Sequence, residues 1–348
     1  PPRPQSEESH KRLHQALDAA LERARGETLD IDSDRYVIFS DQHRGARNGA
    51  DAFAAAEETY NAALAWYFEH GFTLVVLGDV EELWQERPAS VLKAYAHSLS
   101  LEARFHRAGR YLRVWGNHDD DWQYEDAVKT YLQPSYGEPP LEVAEGLTFT
   151  VKAGGRELGT LFLVHGHQGT AKSDRWSGLS RLAVRYLYRP FQRLTGVSLD
   201  TPSKDWRLRE AHGLAMHAWA EKRDKFVLIT GHTHRPVFES RSSAAHLKEQ
   251  LRFAEARLAG TPGDKRLQGQ VAELAAELER VREQETQEVR PVKPCYFNTG
   301  CCCFPGGDMT GIEIERGEIR LVHWPDAQGR LQPEVLEKDA LEEVFEAC

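Results

Sequence analysis

At 348 residues the chain can bury on the order of 75% of its unfolded surface, enough for one large domain with insertions or for two domains. A formal net charge of -10 argues against broad nucleic-acid affinity from the whole surface and leaves room only for a local basic patch. No apolar run reaches the length of a membrane span and no charged-then-apolar leader opens the sequence, so a soluble, cytoplasmic protein without a stable nucleic-acid partner is expected.

After a short lead, Leu13, Leu17, Ala20, Leu21 and Ala24 fall at helical spacing and predict a helix from Ser6 to Arg25, with Gly26 as its C-cap, in an N-terminal unit 1–34. Strands then alternate with helices: strand Tyr36 to Ser40, helix from about Asp51 to Glu69, strand Phe72 to Leu77, helix Pro88 to Arg107, strand Tyr111 to Trp115. Such repetition predicts right-handed crossovers and a largely parallel sheet. Pro88 suits the first turn of its helix, and Gly71 and Gly109 suit helix ends. Leu147 to Val164 reads as a hairpin around Ala153-Gly154-Gly155-Arg156 and opens a second, mixed sheet. That sheet is expected to resume at Phe226 to Thr230, at Cys295 to Asn298, and at Gly311 to Glu315 paired with Glu318 to His323. Pro333 to Ala347 is expected to close the chain as a helix, within a C-terminal unit 325–348.

Two insertions interrupt the core, 35–324. In the first, 168–225, Leu179, Leu182, Ala183, Tyr186 and Leu187 share one helical face and Arg181, Arg185 and Arg189 the opposite one, either a solvated face or a basic cap over an anionic substrate. In the second, 242–289, Leu267, Val271, Leu274, Leu278 and Val281 repeat 4-3-4-3 after a similar run ending at Leu258. An antiparallel helical hairpin follows, folded back on itself or paired in a homodimer. The five cysteines, three of them consecutive at Cys301-Cys302-Cys303, do not read as a disulfide framework and are taken as reduced, buried small hydrophobes.

Five of the apolar runs end in metal-ligand residue types: Asp41-Gln42-His43, Asp79, Gly116-Asn117-His118-Asp119, His165-Gly166-His167 and Gly231-His232-Thr233-His234. In open α/β sheets ligands bind beyond the carboxyl ends of strands, so these five ends can converge. Asp41, His43, Asp79, Asn117, His165, His232 and His234 are too many donors for one tetrahedral zinc. They suit two divalent ions about 3.5–4 Å apart, the arrangement that clamps an in-line phosphoryl displacement. A lone histidine is usually structural, but seven donors at strand ends are not easily so.

In order and rough spacing this series resembles the calcineurin-like metallophosphoesterases, over Arg35 to Arg235 and the closing strands Cys295 to His323. The resemblance implies an α/β fold, a four-layer α/β/β/α sandwich carrying the helical cap and hairpin as insertions. It implies that Asp79 bridges two ions, with Asp41, His43 and His234 completing one and Asn117, His165 and His232 the other. It further implies hydrolysis of a phosphomonoester, phosphodiester or pyrophosphate by hydroxide held between the ions, with His118 protonating the leaving oxygen and Asp119 holding its imidazole. Manganese or iron is the implied metal, while mixed imidazole and carboxylate donors also tolerate zinc or cobalt. His167 is read as a neighbour of the ligands or a substrate contact, alongside Arg181, Arg185 and Arg189. Glu81 and Glu82 are read as carboxylates able to hydrogen-bond metal-bound histidines, and Asp120 and Asp121 as helix N-terminal acids. The basic insertion and Gly78-Asp79 followed by Glu81-Glu82-Leu83-Trp84 are similar to the UDP-2,3-diacylglucosamine pyrophosphatases, although that group tends to carry arginine where His118 stands. The expected partner is a phosphorylated small molecule such as a nucleotide, or a lipid-linked substrate met in peripheral contact with a membrane. A non-catalytic scaffold would show lost ligands, and none is missing from the motif series.

Overall fold

The computed structural model describes residues 5–49, 51–169, 206–238, 293–325 and 332–348, with scattered positions between 251 and 279. Helix α1 (Gln5–Glu22) buries Leu13, Leu17 and Ala20. It stops short of Gly26, which caps nothing and lies inside a strand the sequence did not announce, β1 (Arg25–Asp30). Only Leu29 of β1 is buried, so an edge strand of mostly polar residues carried no apolar signal.

The expected alternation follows as β2 (Arg35–Phe39), α2 (Glu57–Glu69), β3 (Thr73–Leu77), α3 (Pro88–Ala94), α4 (Ala96–Arg107) and β4 (Tyr111–Val114). What reads as one helix from Pro88 to Arg107 is broken at Tyr95 (φ -114°, ψ 30°), whose buried side chain donates its hydroxyl to Asp51 at 2.7 Å. Gly71 and Gly109 adopt the left-handed conformation (φ 80° and 68°) just past α2 and α4, turning the chain into the next strand at no Cβ penalty. Next come the hairpin β5 (Gly146–Ala153) and β6 (Arg156–Val164), then α5 (Trp206–Ala220), β7 (Phe226–Thr230), β8 (Pro236–Phe238) and β9 (Tyr296–Thr299). The chain closes through β10 (Met309–Glu315), β11 (Glu318–Trp324), β12 (Glu334–Ala340) and α6 (Leu341–Ala347).

The strands form two six-stranded sheets, in the orders β1-β5-β6-β7-β9-β8 and β12-β11-β10-β2-β3-β4. Two expectations are corrected here. The β10–β11 hairpin belongs to the sheet of β2, β3 and β4, not to that of β5, β6, β7 and β9, because β10 pairs antiparallel with β2 (Ile312 opposite Ile38). Glu334 to Ala340 is strand rather than helix, since its backbone supplies the hydrogen bonds that β11 would otherwise leave open at the sheet edge.

Side-chain alternation explains the layering. Along β2 and β3, Ile38, Val75 and Leu77 enter one core together with Ile312 and Ile314, whereas Val37, Phe39, Leu74 and Val76 enter another with Tyr60, Tyr67 and Leu99 of α2 and α4. Tyr36 of β2 meets Phe149 of β5 edge to face at 5.3 Å, so the sheets face each other across the first core. On the far side Phe162 packs on Trp219 of α5, beside α1. The molecule is thus a four-layer α/β/β/α sandwich. Arg181, Arg185, Arg189 and the body of the basic cap lie outside the described residues. The described positions within 251–258 and 267–279 are helical, and the pairing of the two arms also lies outside them. No helix among the described residues is long and apolar enough to cross a membrane.

An ionisable group facing the outer core makes stability depend on pH. Glu313, on β10, faces α2, where it accepts a hydrogen bond from the Tyr67 hydroxyl at 2.5 Å. Burial dominates over that bond and pushes its carboxyl from 4.5 up to about 7. Below pH 4.5 both folded and unfolded chains hold the proton and nothing is lost. Between 4.5 and 7 the unfolded chain ionises first, so stability falls as pH rises, by about 3 kcal/mol once pH 7 is passed. Glu313→Gln is therefore expected to match the parent at pH 4 and exceed it by roughly 2–3 kcal/mol at pH 8 in urea unfolding. Parallel curves across that range would remove Glu313 as the cause.

Candidate metal centre

Strand register delivers the five ligand-bearing loops to one place. Parallel pairing of β2 with β3 and of β3 with β4 puts their carboxyl ends side by side, and β6 with β7 does the same in the facing sheet. Backbone bonds then carry the loops onward in register: Asp41 N donates to Gly78 O at 3.1 Å, His43 N to Asp79 O at 2.9 Å, and Gly231 N to His165 O at 3.0 Å. Asp41, His43, Asp79, His232 and His234 all have positive φ, between 48° and 67°. They are five of the eight non-glycine residues so placed among the described residues. A left-handed backbone disfavours side chains with a Cβ, so its concentration at these residues marks a site held in strain by its surroundings.

Two triads result, Asp41-His43-His234 and Asp79-His165-His232, each able to bring one donor atom apiece within 4.8 Å of the others. Within the first, His43 Nε2 and His234 Nε2 are 3.0 Å apart and Asp41 Oδ1 lies 3.2 Å from His234 Nε2. Asp79 joins the triads: its Oδ2 is 3.1 Å from His165 Nε2 and 3.6 Å from His43 Nε2. Metal bonds of about 2.1 Å at octahedral or tetrahedral angles set donors roughly 3.0–3.4 Å apart, and most of these spacings match. Asn117 sits in the loop after β4, where the neighbouring His118 N donates to Asp79 Oδ1 at 2.8 Å.

Unmet bonding capacity supports the fit. His165 Nδ1 donates to the Leu77 carbonyl at 2.8 Å, which leaves a lone pair on Nε2 in the neutral ring. That Nε2 is buried and makes no hydrogen bond, and the same holds for Asn117 Oδ1 and Asp41 Oδ1. Buried polar atoms are nearly always satisfied, so three such atoms at one centre suit a cation. The electrostatics show the pull that the site's carboxylates exert on positive charge. Burial alone would raise Asp41, yet His234 and His165 hold it well below the usual carboxylate range. Burial opposes charge on His165 too, but Asp79 and Asp41 lift it to about 9, and Asp41 lifts His234 likewise to about 9.

His118 stands beside the first triad with its ring fixed on two sides. Its Nδ1 donates to Glu82 Oε2 at 2.8 Å, and Trp84 stacks on the ring at 4.2 Å and 18°. The same Glu82 oxygen accepts from His43 Nδ1 at 3.3 Å, and these two histidines, overcoming burial, hold the carboxyl down to about 2. This corrects the expected role of Asp119. Its carboxylate does not orient His118; it accepts from the backbone N–H of Gly116 at 2.6 Å, Val80 at 3.0 Å and Asp79 at 3.3 Å, so it ties the β3 and β4 loops together. Glu81 likewise does not reach a ligand histidine. It is buried against Arg113 and Arg44 and accepts from Trp122 Nε1 at 2.8 Å, an ionic layer under the site continued by Glu102, which accepts from Arg44, Tyr60, Tyr111 and Tyr136.

His167 is buried near the second triad, 5.5 Å from the His165 ring and 6.4 Å from that of His232, with Trp115 at 5.2 Å. Burial and His165 push it down to about 3, so it stays neutral. His212 of α5, absent from the motif series, comes within 5.7 Å of the His232 ring with its Nε2 2.8 Å from the Gly166 carbonyl. Cys303, read from sequence as filler, places Sγ 3.8 Å from His234 Nδ1. The Cys-x-Cys spacing just past β9 was the signal available for it. Asp120 and Asp121 open a short 3-10 helix, Asp120–Gln123, as helix-start acids would.

Gly116 has no room for a side chain. A Cβ there would meet Asp79 N at 2.5 Å and the His165 ring at 2.9 Å. Gly116→Ala is therefore expected to displace the Asp79 carboxylate and weaken affinity for any metal held there by about 10–100-fold, the scale seen when a ligand's support is disturbed. Unchanged affinity in a chelator competition titration would contradict the packing.

No protein-family model matches the chain, and no curated protein matches it. Among solved structures it is similar to a conserved uncharacterized protein from Streptococcus pneumoniae TIGR4, described as a predicted phosphoesterase, at 12% identity over 87% of this chain and 97% of that one, with a TM-score of 0.30. It is also similar to Vacuolar Protein Sorting 29 from Cryptosporidium parvum, at 12% identity over 88% of this chain and 98% of that one, with a TM-score of 0.35. Likeness at that level leaves the chemistry to rest on the geometry described above.

Proposed function

We propose that the chain is a metal-dependent phosphoesterase that holds two divalent ions in the triads meeting at Asp79. The observation that carries this is the shared carboxylate, 3.1 Å and 3.6 Å from imidazoles of the two triads, with an oriented histidine alongside. The order of these motifs resembles the calcineurin-like metallophosphoesterases and supports the same reading. Bound divalent ions would supply Lewis-acid polarisation of phosphoryl oxygens and a lowered pKa for water. Asp41, His43, Asp79 and His234 would hold one ion, and Asp79, Asn117, His165 and His232 the other. The chain's own chemistry is proton delivery: Glu82 keeps the proton on His118 Nδ1, so Nε2 exchanges one with the leaving oxygen. Manganese or iron is proposed as the metal.

The substrate is proposed only as a phosphoester or pyrophosphate. The lipid-linked reading drew on the basic cap, which lies outside the described residues, and on Gly78-Asp79 followed by Glu81-Glu82-Leu83-Trp84, where Glu82 and Trp84 hold the His118 ring. The test is a panel of a chromogenic phosphodiester, a phosphomonoester and nucleotides, assayed after each metal is restored to chelated protein. Turnover that appears only with metal supports the reading; turnover indifferent to chelation, or none on any phosphoester, sinks it.

A further inference from the structure

Three cysteines in succession remain unused by the proposed reaction, and their side chains part company. Cys302 is buried in the outer core beside Phe39 and Tyr60, with its N–H donating to Ser40 O at 3.1 Å. Cys301 and Cys303, one residue to either side, turn instead to the metal centre. Their two Sγ atoms and a ring nitrogen of His234 all lie within 4.8 Å of one another. Cys303 Sγ is 3.8 Å from His234 Nδ1, and Cys303 is partly exposed while Cys301 is buried. The peptide joining Cys301 to Cys302 is held through both its groups, since Thr310 N donates to Cys301 O at 3.1 Å and Cys302 N donates to Ser40 O at 3.1 Å and Asp41 O at 3.3 Å. The two sulfurs, within 4.8 Å of each other, must close to a bond of about 2.05 Å, a movement that falls on the side chains and on the Cys303 side of the held peptide.

We propose that Cys301 and Cys303 form a thiol-modification site, a dithiol that a hydroperoxide converts to a disulfide and that thereby controls the ion held by His234. The proposal rests on the metal centre described above. Cys303, the accessible thiol, attacks the outer oxygen of the hydroperoxide, breaking the O–O bond and giving a sulfenic acid and an alcohol, or water from hydrogen peroxide. Cys301 then attacks the Cys303 sulfur, forming the S–S bond and expelling water. Two thiols lose two electrons and two protons, the peroxide takes them up, and the step balances. The effect on the site follows from contact. His234 Nδ1 faces Cys303 Sγ while its Nε2 lies 3.2 Å from Asp41 Oδ1, so moving the sulfur removes a support of the ring that binds the ion. Loss of such a support typically lowers metal affinity or activity by about 10–100-fold.

The test uses the full chain loaded with zinc, which has no redox chemistry of its own. Protein is treated with hydrogen peroxide, quenched, alkylated without reduction, and divided among peptide mass analysis, metal analysis and phosphoesterase assay. The expected result is a peptide containing residues 301–303 that is two hydrogens lighter and unalkylated at Cys301 and Cys303. Activity is expected to fall at least ~10-fold, with one ion lost, and dithiothreitol to reverse both. Cys301→Ser should show no loss of two hydrogens in the 301–303 peptide, its Cys303 stopping at the sulfenic acid, which dithiothreitol also reduces; Cys303→Ser, without the attacking thiol, should also form no such disulfide and serves the same purpose should the first variant misfold. The proposal is overturned if the disulfide maps only to Cys295 and Cys348, if Cys301 and Cys303 stay alkylatable, or if their disulfide forms while ion content and activity hold. A chain inactive on every phosphoester, yet losing one ion reversibly on oxidation, would sink the hydrolase reading and sustain this one.

Discussion

Asp79→Ala is expected to bind neither ion stably and to retain less than about a thousandth of parental turnover, a loss of roughly 4 kcal/mol or more of transition-state stabilisation. The reason is position. Among the described residues Asp79 is the one carboxylate within 4 Å of imidazoles from both triads, and its Oδ1 also receives the His118 N–H that seats the β4 loop. Its removal would take a donor from each of the two proposed ion sites and loosen the loop that carries Asn117. Fold should survive, because the residue lies beyond the end of β3 and the cores on both faces of that strand are untouched. Elemental analysis and turnover on a chromogenic ester check the expectation together. An active, metal-replete Asp79→Ala would refute the assignment.

His118→Ala should separate metal binding from proton transfer. Both ions are expected to remain, since His118 belongs to neither triad, while kcat falls by about 10²–10⁴. Leaving-group chemistry sharpens the test. An ester that expels a stable aryl oxide needs little protonation and should lose far less than one that expels an alkoxide. Glu82→Gln should lie between parent and His118→Ala, because the amide no longer fixes the His118 proton and also withdraws charge from His43. Equal losses on aryl and alkyl esters would assign His118 to binding rather than acid catalysis.

The site was legible because its two signals coincide in sequence. An apolar strand and the candidate ligands at its exit are adjacent in the chain, so β2, β3, β4, β6 and β7 could be read with the residues that the fold then gathers attached to them. Edge strands had no such signal. β1 buries a single side chain, and β12 carries alternating charges whose few apolar residues also fit a helical period. Pairing across the molecule was equally hidden: the turn at Arg316-Gly317 joins β10 to β11, but nothing local says that β10 lies against β2 rather than β9. The same limit explains Asp119 and Glu82. Asp119 adjoins His118 in sequence, yet backbone N–H groups claim its carboxylate, and Glu82 reaches the imidazole from another strand's loop. Adjacency in the chain is a poor guide to which carboxylate meets which ring.

The most direct test of the central claim is anomalous diffraction from crystals of the metal-loaded chain. Two peaks about 3.5–4 Å apart are expected, one beside Asp41, His43 and His234, the other beside Asn117, His165 and His232, with Asp79 between them. A single ion, or ions bound away from Asp79, would contradict the account.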